Sequence, residues 1–168
     1  MITMAGERSF SRTMNRSSAS TDRTAPRAKG TTLRVSFHGQ RAWKIDRLDD
    51  LRKVALGVLR AEGATGPVDV VFHSPAEQRA LNLQWRGLDR TTDVLSFPYG
   101  EPELFGELYI DPVLAAEQAV RYRHDLHREM RRLIVHGCLH LCGHDHHTTS
   151  ERVRMRALER KYDPPESA

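Results

Sequence analysis

The stretch His136-Gly137-Cys138-Leu139-His140-Leu141-Cys142-Gly143-His144-Asp145-His146 spaces its histidines as a helix followed by a turn can bring them together. Met130, Leu133, Ile134 and Val135 form an apolar approach with helical periodicity, so a helix should run through His136 and His140. Four residues apart, these two lie about one turn from each other on one face. Gly143, with no side chain, can take a left-handed conformation, end the helix and turn the chain back. His146 then supplies a third imidazole from the exit loop. Three neutral nitrogen donors converging in this way make an open site for one Zn2+ per chain, with water in the fourth position.

A histidine pair at i and i+4 is by itself more often a surface or capping pair. Gly143 and His146 at this spacing move the reading to a metal site. Cys138 and Cys142 fall on the side of the helix away from His136 and His140, so they read as small core residues. Neighbouring turns of one helix aim two cysteines poorly for a disulfide. His144 and His147 are the rivals to His146, which is preferred because it completes the spacing.

Outward from this stretch, 168 residues fit one domain with a proper core. Two cysteines give no disulfide framework and suit a reducing compartment. No apolar run reaches membrane-spanning length, and the N-terminus shows no signal-peptide core, so no membrane partner is expected. Residues 1–30 carry Arg8, Arg12, Arg16, Arg23, Arg27 and Lys29 against Glu7 and Asp22, which accounts for the whole formal charge of +4. A nucleic-acid role therefore needs a local basic patch rather than net charge. The same segment is Ser-, Thr- and Arg-rich with few apolar residues. It is expected to be a disordered basic extension, or to reflect an upstream start ahead of Met14, in preference to an organellar transit peptide. Residues 31–163 should form the folded domain and 164–168 a short tail.

Within that domain, Leu33–Phe37 alternates as a half-buried strand. Asp46 or Asp49 can open a helix whose stripe is Leu48, Leu51, Val54, Ala55, Val58 and Leu59, ending by Gly63. Val68–Phe72 is a second strand. Ser74-Pro75-Ala76-Glu77 is a capping box with proline at the first helical position, starting a helix that carries Leu81, Leu83 and Trp85 and ends at Arg86-Gly87. Asp93–Pro98 reads as a short strand near a sheet edge, because Pro98 cannot donate to a ladder. Gly106–Ile110 is a fourth strand, and Asp111-Pro112 caps a helix to about Arg123. The histidine helix spans about His127 to Cys142. Thr148-Thr149-Ser150-Glu151 is a second capping box, opening a last helix to about Tyr162. The order predicts a single α+β domain with a mixed sheet of about four strands and about five helices, the zinc site lying on a C-terminal helix and its exit loop.

A zinc site with an open position acidifies water to a pKa of ~7 and polarises carbonyl or phosphoryl oxygens, both of which suit hydrolysis. The spacing His-x-x-x-His-x-x-Gly-x-x-His is similar to that of metzincin proteases, but those have a glutamate after the first histidine and this chain has Gly137. The peptidase reading is weak on that ground. The run His136 to His146 instead matches the motif His-Gly-x-Leu-His-Leu-x-Gly-x-Asp-His of the YbeY family. Arg86-Gly87 with Asp93-Val94-Leu95-Ser96-Phe97-Pro98, and Gly106-Glu107-Leu108, match two further blocks, in the family's order over about residues 33 to 163.

This resemblance implies a zinc-dependent, single-strand-specific endoribonuclease of late ribosome maturation, linked to the 3' end of small-subunit 16S rRNA and to ribosome quality control. It implies a cytoplasmic protein whose partners are rRNA or other single-stranded RNA, small-subunit proteins and an assembly GTPase, with no DNA. The metal ligands carry over to His136, His140 and His146, and a functionally important arginine to Arg86. A guanidinium there can hold a phosphate bidentately and stabilise the charge of a pentavalent transition state. Asp145 either orients a ligand imidazole or satisfies turn N–H groups. Arg132, and the run Arg152, Arg154, Arg156, Arg160 and Lys161, read as solvated helix faces; Trp43, Trp85 and Phe97 read as core. The alternative of another class is a non-catalytic ribosome-assembly factor whose zinc holds the C-terminal loop in place.

Overall fold

The computed structural model describes residues 32–164. The proposed extension 1–30 lies outside the described residues, as does all of the tail except Pro164. In chain order the elements are β1 (Val35–His38), α1 (Leu48–Ala61), β2 (Val68–Phe72), α2 (Pro75–Arg86), β3 (Val94–Pro98), β4 (Gly106–Ile110), α3 (Pro112–Tyr122), α4 (Leu126–Leu141) and α5 (Thr149–Tyr162). The single α+β domain with four strands and five helices is as the sequence predicts.

The sheet order is β1-β2-β4-β3. β1, β2 and β4 run parallel, and β3 pairs antiparallel with β4 in a register that sets Pro98 opposite Gly106. β3 is an edge strand, where the missing N–H of Pro98 costs least. Side chains alternate across the sheet. Val68, Val70, Phe72, Leu108 and Ile110 face one way into the core that holds Leu51, Ala55, Val58 and Leu59 of α1 and Met130, Leu133, Ile134 and Cys138 of α4. Phe97 and Tyr109 face the other way, and α2 covers them: Trp85 meets Phe97 edge-on at 5.7 Å, and Phe97 meets Tyr109 at 5.6 Å. Covered on both faces, β3 is buried from Val94 to Phe97.

α4 is the centre of the fold. Its last nine residues, Leu133 to Leu141, are all buried, together with Glu129 and Met130. A helix enclosed on nearly every side gains burial energy around its circumference, at about 1.5–3 kcal/mol per large apolar side chain. It also has to approach the sheet closely. A Cβ on Gly137 would stand 2.8 Å from Leu108 Cδ2, so glycine is what lets the helix lie on β4 at this depth.

Local expectations hold at three helix starts. Ser74 and Thr148 each form a reciprocal capping box, with Glu77 and Glu151, and Asp111 accepts from the N–H groups of Val113 and Leu114. Others need correction. Neither Asp46 nor Asp49 caps α1: Arg47 occupies the cap position in a left-handed conformation without a side-chain cap, and Asp49 lies in the first turn. In α2 the buried residues are Gln78 and Asn82, while Leu83 is exposed. Polar side chains go inside there because carbonyls need donors: Gln78 donates to the Tyr109 carbonyl at 2.9 Å and Asn82 to that of Arg90 at 2.7 Å.

Candidate metal centre

α4 and its exit loop bring His136, His140 and His146 together, with ligand atoms all within 4.8 Å of one another. The Nε2 atoms of His136 and His140 face each other at 3.1 Å, and the His146 ring lies 5.0 Å from that of His140 and 5.6 Å from that of His136. His140 is fully buried and His136 is 9% exposed, so the cluster sits at the floor of the helix rather than on its surface.

The loop geometry selects His146 among the loop histidines. Gly143 takes φ +87°, and the His144 N–H closes back on the Leu139 carbonyl at 3.0 Å, ending α4 in a tight reversal. His144 points to α1, where its Nε2 lies 2.7 Å from Glu62, and Tyr162 donates to the same carboxylate. His147 pairs with Asp145 at 2.7 Å. Asp145 also accepts from the His146 backbone N–H at 2.8 Å, whereas the His146 ring nitrogen Nδ1 stands 3.9 Å away. Of the two roles open to Asp145, the structure shows the turn role.

The protonation state suits metal coordination. Burial first, then the neighbouring charges of His136 and His146, push His140 down to about 3, so at neutral pH its imidazole is uncharged. Burial and His136 likewise lower His146. Neutral rings expose lone pairs, which is the form a metal needs. His146 Nδ1 is buried without a hydrogen-bond partner, a polar atom whose desolvation is uncompensated within the protein. Tetrahedral Zn2+ with Zn–N near 2.05 Å sets donor nitrogens about 3.3 Å apart, close to the His136–His140 spacing. The donor set therefore fits a metal ion. Cys138 and Cys142 stand apart from it; burial raises both thiols, Cys142 to about 11.

Against this geometry, comparison with known proteins is decisive. The family model for endoribonuclease YbeY matches residues 39–163. The chain belongs to the YbeY family. Among curated relatives, an endoribonuclease YbeY from Thermotoga maritima is 34% identical over 116 residues, covering 68% of this chain and 77% of the relative. One from Pelotomaculum thermopropionicum is 43% identical over 120 residues, covering 65% and 79%. A solution structure of a Thermotoga maritima protein aligns with a TM-score of 0.53 at 28% identity, over 77% of this chain and 88% of that one. The YbeY match spans all three sequence blocks and stops where α5 ends.

Arg86, the other residue singled out by YbeY resemblance, is not part of the imidazole cluster. It closes α2, and its Nε is buried without a hydrogen-bond partner. Burial, then the charge of Arg90, lower its pKa, opposed by Asp93. Arg132 is not a free helix arginine: it donates to Glu129 and Gln118 and lies 3.7 Å from Asp93. Glu129 is wholly buried with one oxygen on Arg132 and the other 3.1 Å from His124 Nε2. Sequence reasoning missed Glu159, whose carboxylate meets His136 Nδ1 at 2.5 Å. It lies in the charged run of α5, where nothing in the local pattern separates it from a solvated residue.

Proposed function

We propose that this chain is a zinc-dependent, single-strand-specific endoribonuclease that acts in late small-subunit ribosome maturation. The observation that carries the reading is the convergence of His136, His140 and His146 in a chain whose relatives are named endoribonucleases. These three side chains would hold the ion. When bound, Zn2+ supplies Lewis acidity toward a phosphoryl oxygen and toward water. The protein's own residues do the rest. The depressed pKa of His140 keeps its imidazole neutral at working pH, the form that can coordinate a metal. Gly137 leaves no room for a carboxylate after the first histidine, since even a Cβ meets Leu108, which argues against the metzincin type of protease. Arg86 is the proposed phosphate-binding residue: its guanidinium, at the end of α2, is a charged fork of donors able to hold a substrate oxyanion. The proposed role extends, as the sequence resemblance implies, to the 3' end of 16S rRNA as substrate, to ribosome quality control, to contacts with small-subunit proteins and an assembly GTPase, and to a cytoplasmic setting. Among the described residues no helix is long and apolar enough to cross a membrane.

Wild type and Arg86→Ala are to be compared on a short single-stranded rRNA 3'-end substrate, with zinc content and Tm measured on the same samples. Arg86→Ala should keep its zinc and its Tm and lose cleavage by about 100-fold or more, the scale of one lost oxyanion donor. Equal cleavage by both removes Arg86 from the chemistry. A 2',3'-cyclic phosphate product would identify the substrate's 2'-OH as the nucleophile.

One observation favours the assembly-factor alternative: His140 is fully buried and His136 is tied to α5 through Glu159, as the ligands of a structural metal would be. Under that reading His140→Ala lowers Tm and rRNA association together, and zinc-loaded wild type cleaves no faster than a metal-stripped control.

A further inference from the structure

We propose that Glu159 is a positioning residue for the metal centre: it holds the proton on His136 Nδ1 and so keeps the His136 Nε2 lone pair directed at the site. The inference rests on the reading that the three imidazoles hold a metal ion. A neutral imidazole carries one proton, on one nitrogen or the other. Glu159 Oε1 lies 2.5 Å from Nδ1, and an ionised carboxylate can only accept, so the proton belongs on Nδ1. Nε2, across the ring, is then the acceptor, and it is the atom that faces His140 Nε2 at 3.1 Å. Without Glu159 the proton is free to move to Nε2, where it would point into the site and block coordination.

The carboxylate is fixed from both sides. Its helix is anchored on the core by Met155, with Leu158 and Tyr162 packed against it, and Asp163 just beyond is bound by Arg131 at 3.0 Å. From α4, Arg132 lends its charge to Glu159 while being held by Glu129 and Gln118. A partner beyond the ligands that sets the tautomer and ring orientation typically changes metal affinity by about 10–100-fold when removed. A Glu159 that only docked α5 on α4 would change the stability of the metal-free protein and leave the tautomer alone.

The test uses full-length metal-free wild type, E159A and E159Q. The readouts are Tm, Zn2+ affinity by chelator competition, and the His136 tautomer from 15N ring shifts. Wild type should bind Zn2+ and carry the His136 proton on Nδ1. E159A should bind Zn2+ about 10–100-fold more weakly and shift His136 toward the Nε2–H form. E159Q, whose amide oxygen still accepts from Nδ1–H, should keep the tautomer and lose less affinity. E159A binding Zn2+ within twofold of wild type overturns the inference, as does a wild-type His136 protonated on Nε2; that second measurement decides alone should E159A fail to fold. A wild type that takes up no zinc overturns the metal reading itself, and this inference with it.

Discussion

A Cβ at position 137 would meet Leu108 Cδ2 at 2.8 Å and Cδ1 at 3.0 Å, and Leu108 is fully buried, so its methyls cannot swing aside without disturbing their neighbours. Gly137→Ala should therefore destabilise by about 1–3 kcal/mol through overpacking, visible as a lower Tm in the metal-free protein; an unchanged Tm would mean that α4 can lift off β4 at little cost. At Asp50 the physics is one of charge. Hydrogen bonds from Arg131 at 2.5 Å and His127 at 2.8 Å hold its carboxyl below the ordinary 3.8, with burial opposing them. A carboxyl depressed in the folded state contributes stability above its unfolded pKa, and that contribution is lost as pH falls through the lower folded value. Asp50→Asn should accordingly lower Tm near neutrality, with the difference from wild type shrinking below pH 3.8 in a Tm-against-pH series. A difference constant down to the acid limb would assign the loss to packing. At this scale the sequence was informative where spacing is local: the i, i+4 histidines and the left-handed Gly143 were legible. Glu159 was not, because its link to His136 crosses 23 residues and two helices, and no periodicity records it.

Helix starts were the most legible elements, since a cap and its partner lie three residues apart in the chain, as Ser74–Glu77 and Thr148–Glu151 do. The start of α1 was illegible for the opposite reason. Arg47 takes φ +47° there with no side-chain cap, and its guanidinium reaches Asp125 at 3.2 Å, a partner 78 residues away that local sequence does not record. In α2 the buried face was not legible from apolar residues, because the carbonyls of Tyr109 and Arg90 are met by Gln78 and Asn82. α4 and α5 should respond very differently to mutation. Leu133→Ala, in the enclosed α4, should cost about 2–5 kcal/mol, whereas Thr148→Ala should cost about 1 kcal/mol by loss of the α5 cap. Urea unfolding of the two variants checks this; equal losses would contradict the central place given to α4.

For the whole molecule, alternation and helical periodicity were enough to foresee a mixed four-stranded sheet with five helices, since each element declares its own period. The strand order β1-β2-β4-β3 was not legible, because pairing partners are set by packing between distant segments. That order, with α4 laid across β3 and β4, seats His136 and His140 beneath the loop that carries His146 and beside the helix that carries Glu159. The fold thus brings the three imidazoles of one short sequence motif to within ligand distance of one another. The measurement that tests this account most directly follows cleavage of a single-stranded RNA by the protein as purified, after metal stripping, and after reloading with Zn2+, with metal content determined at each stage. The account predicts cleavage that tracks zinc, falling to background on stripping and returning on reloading. Cleavage undiminished in stripped protein, or absent from protein carrying its full zinc, would contradict it.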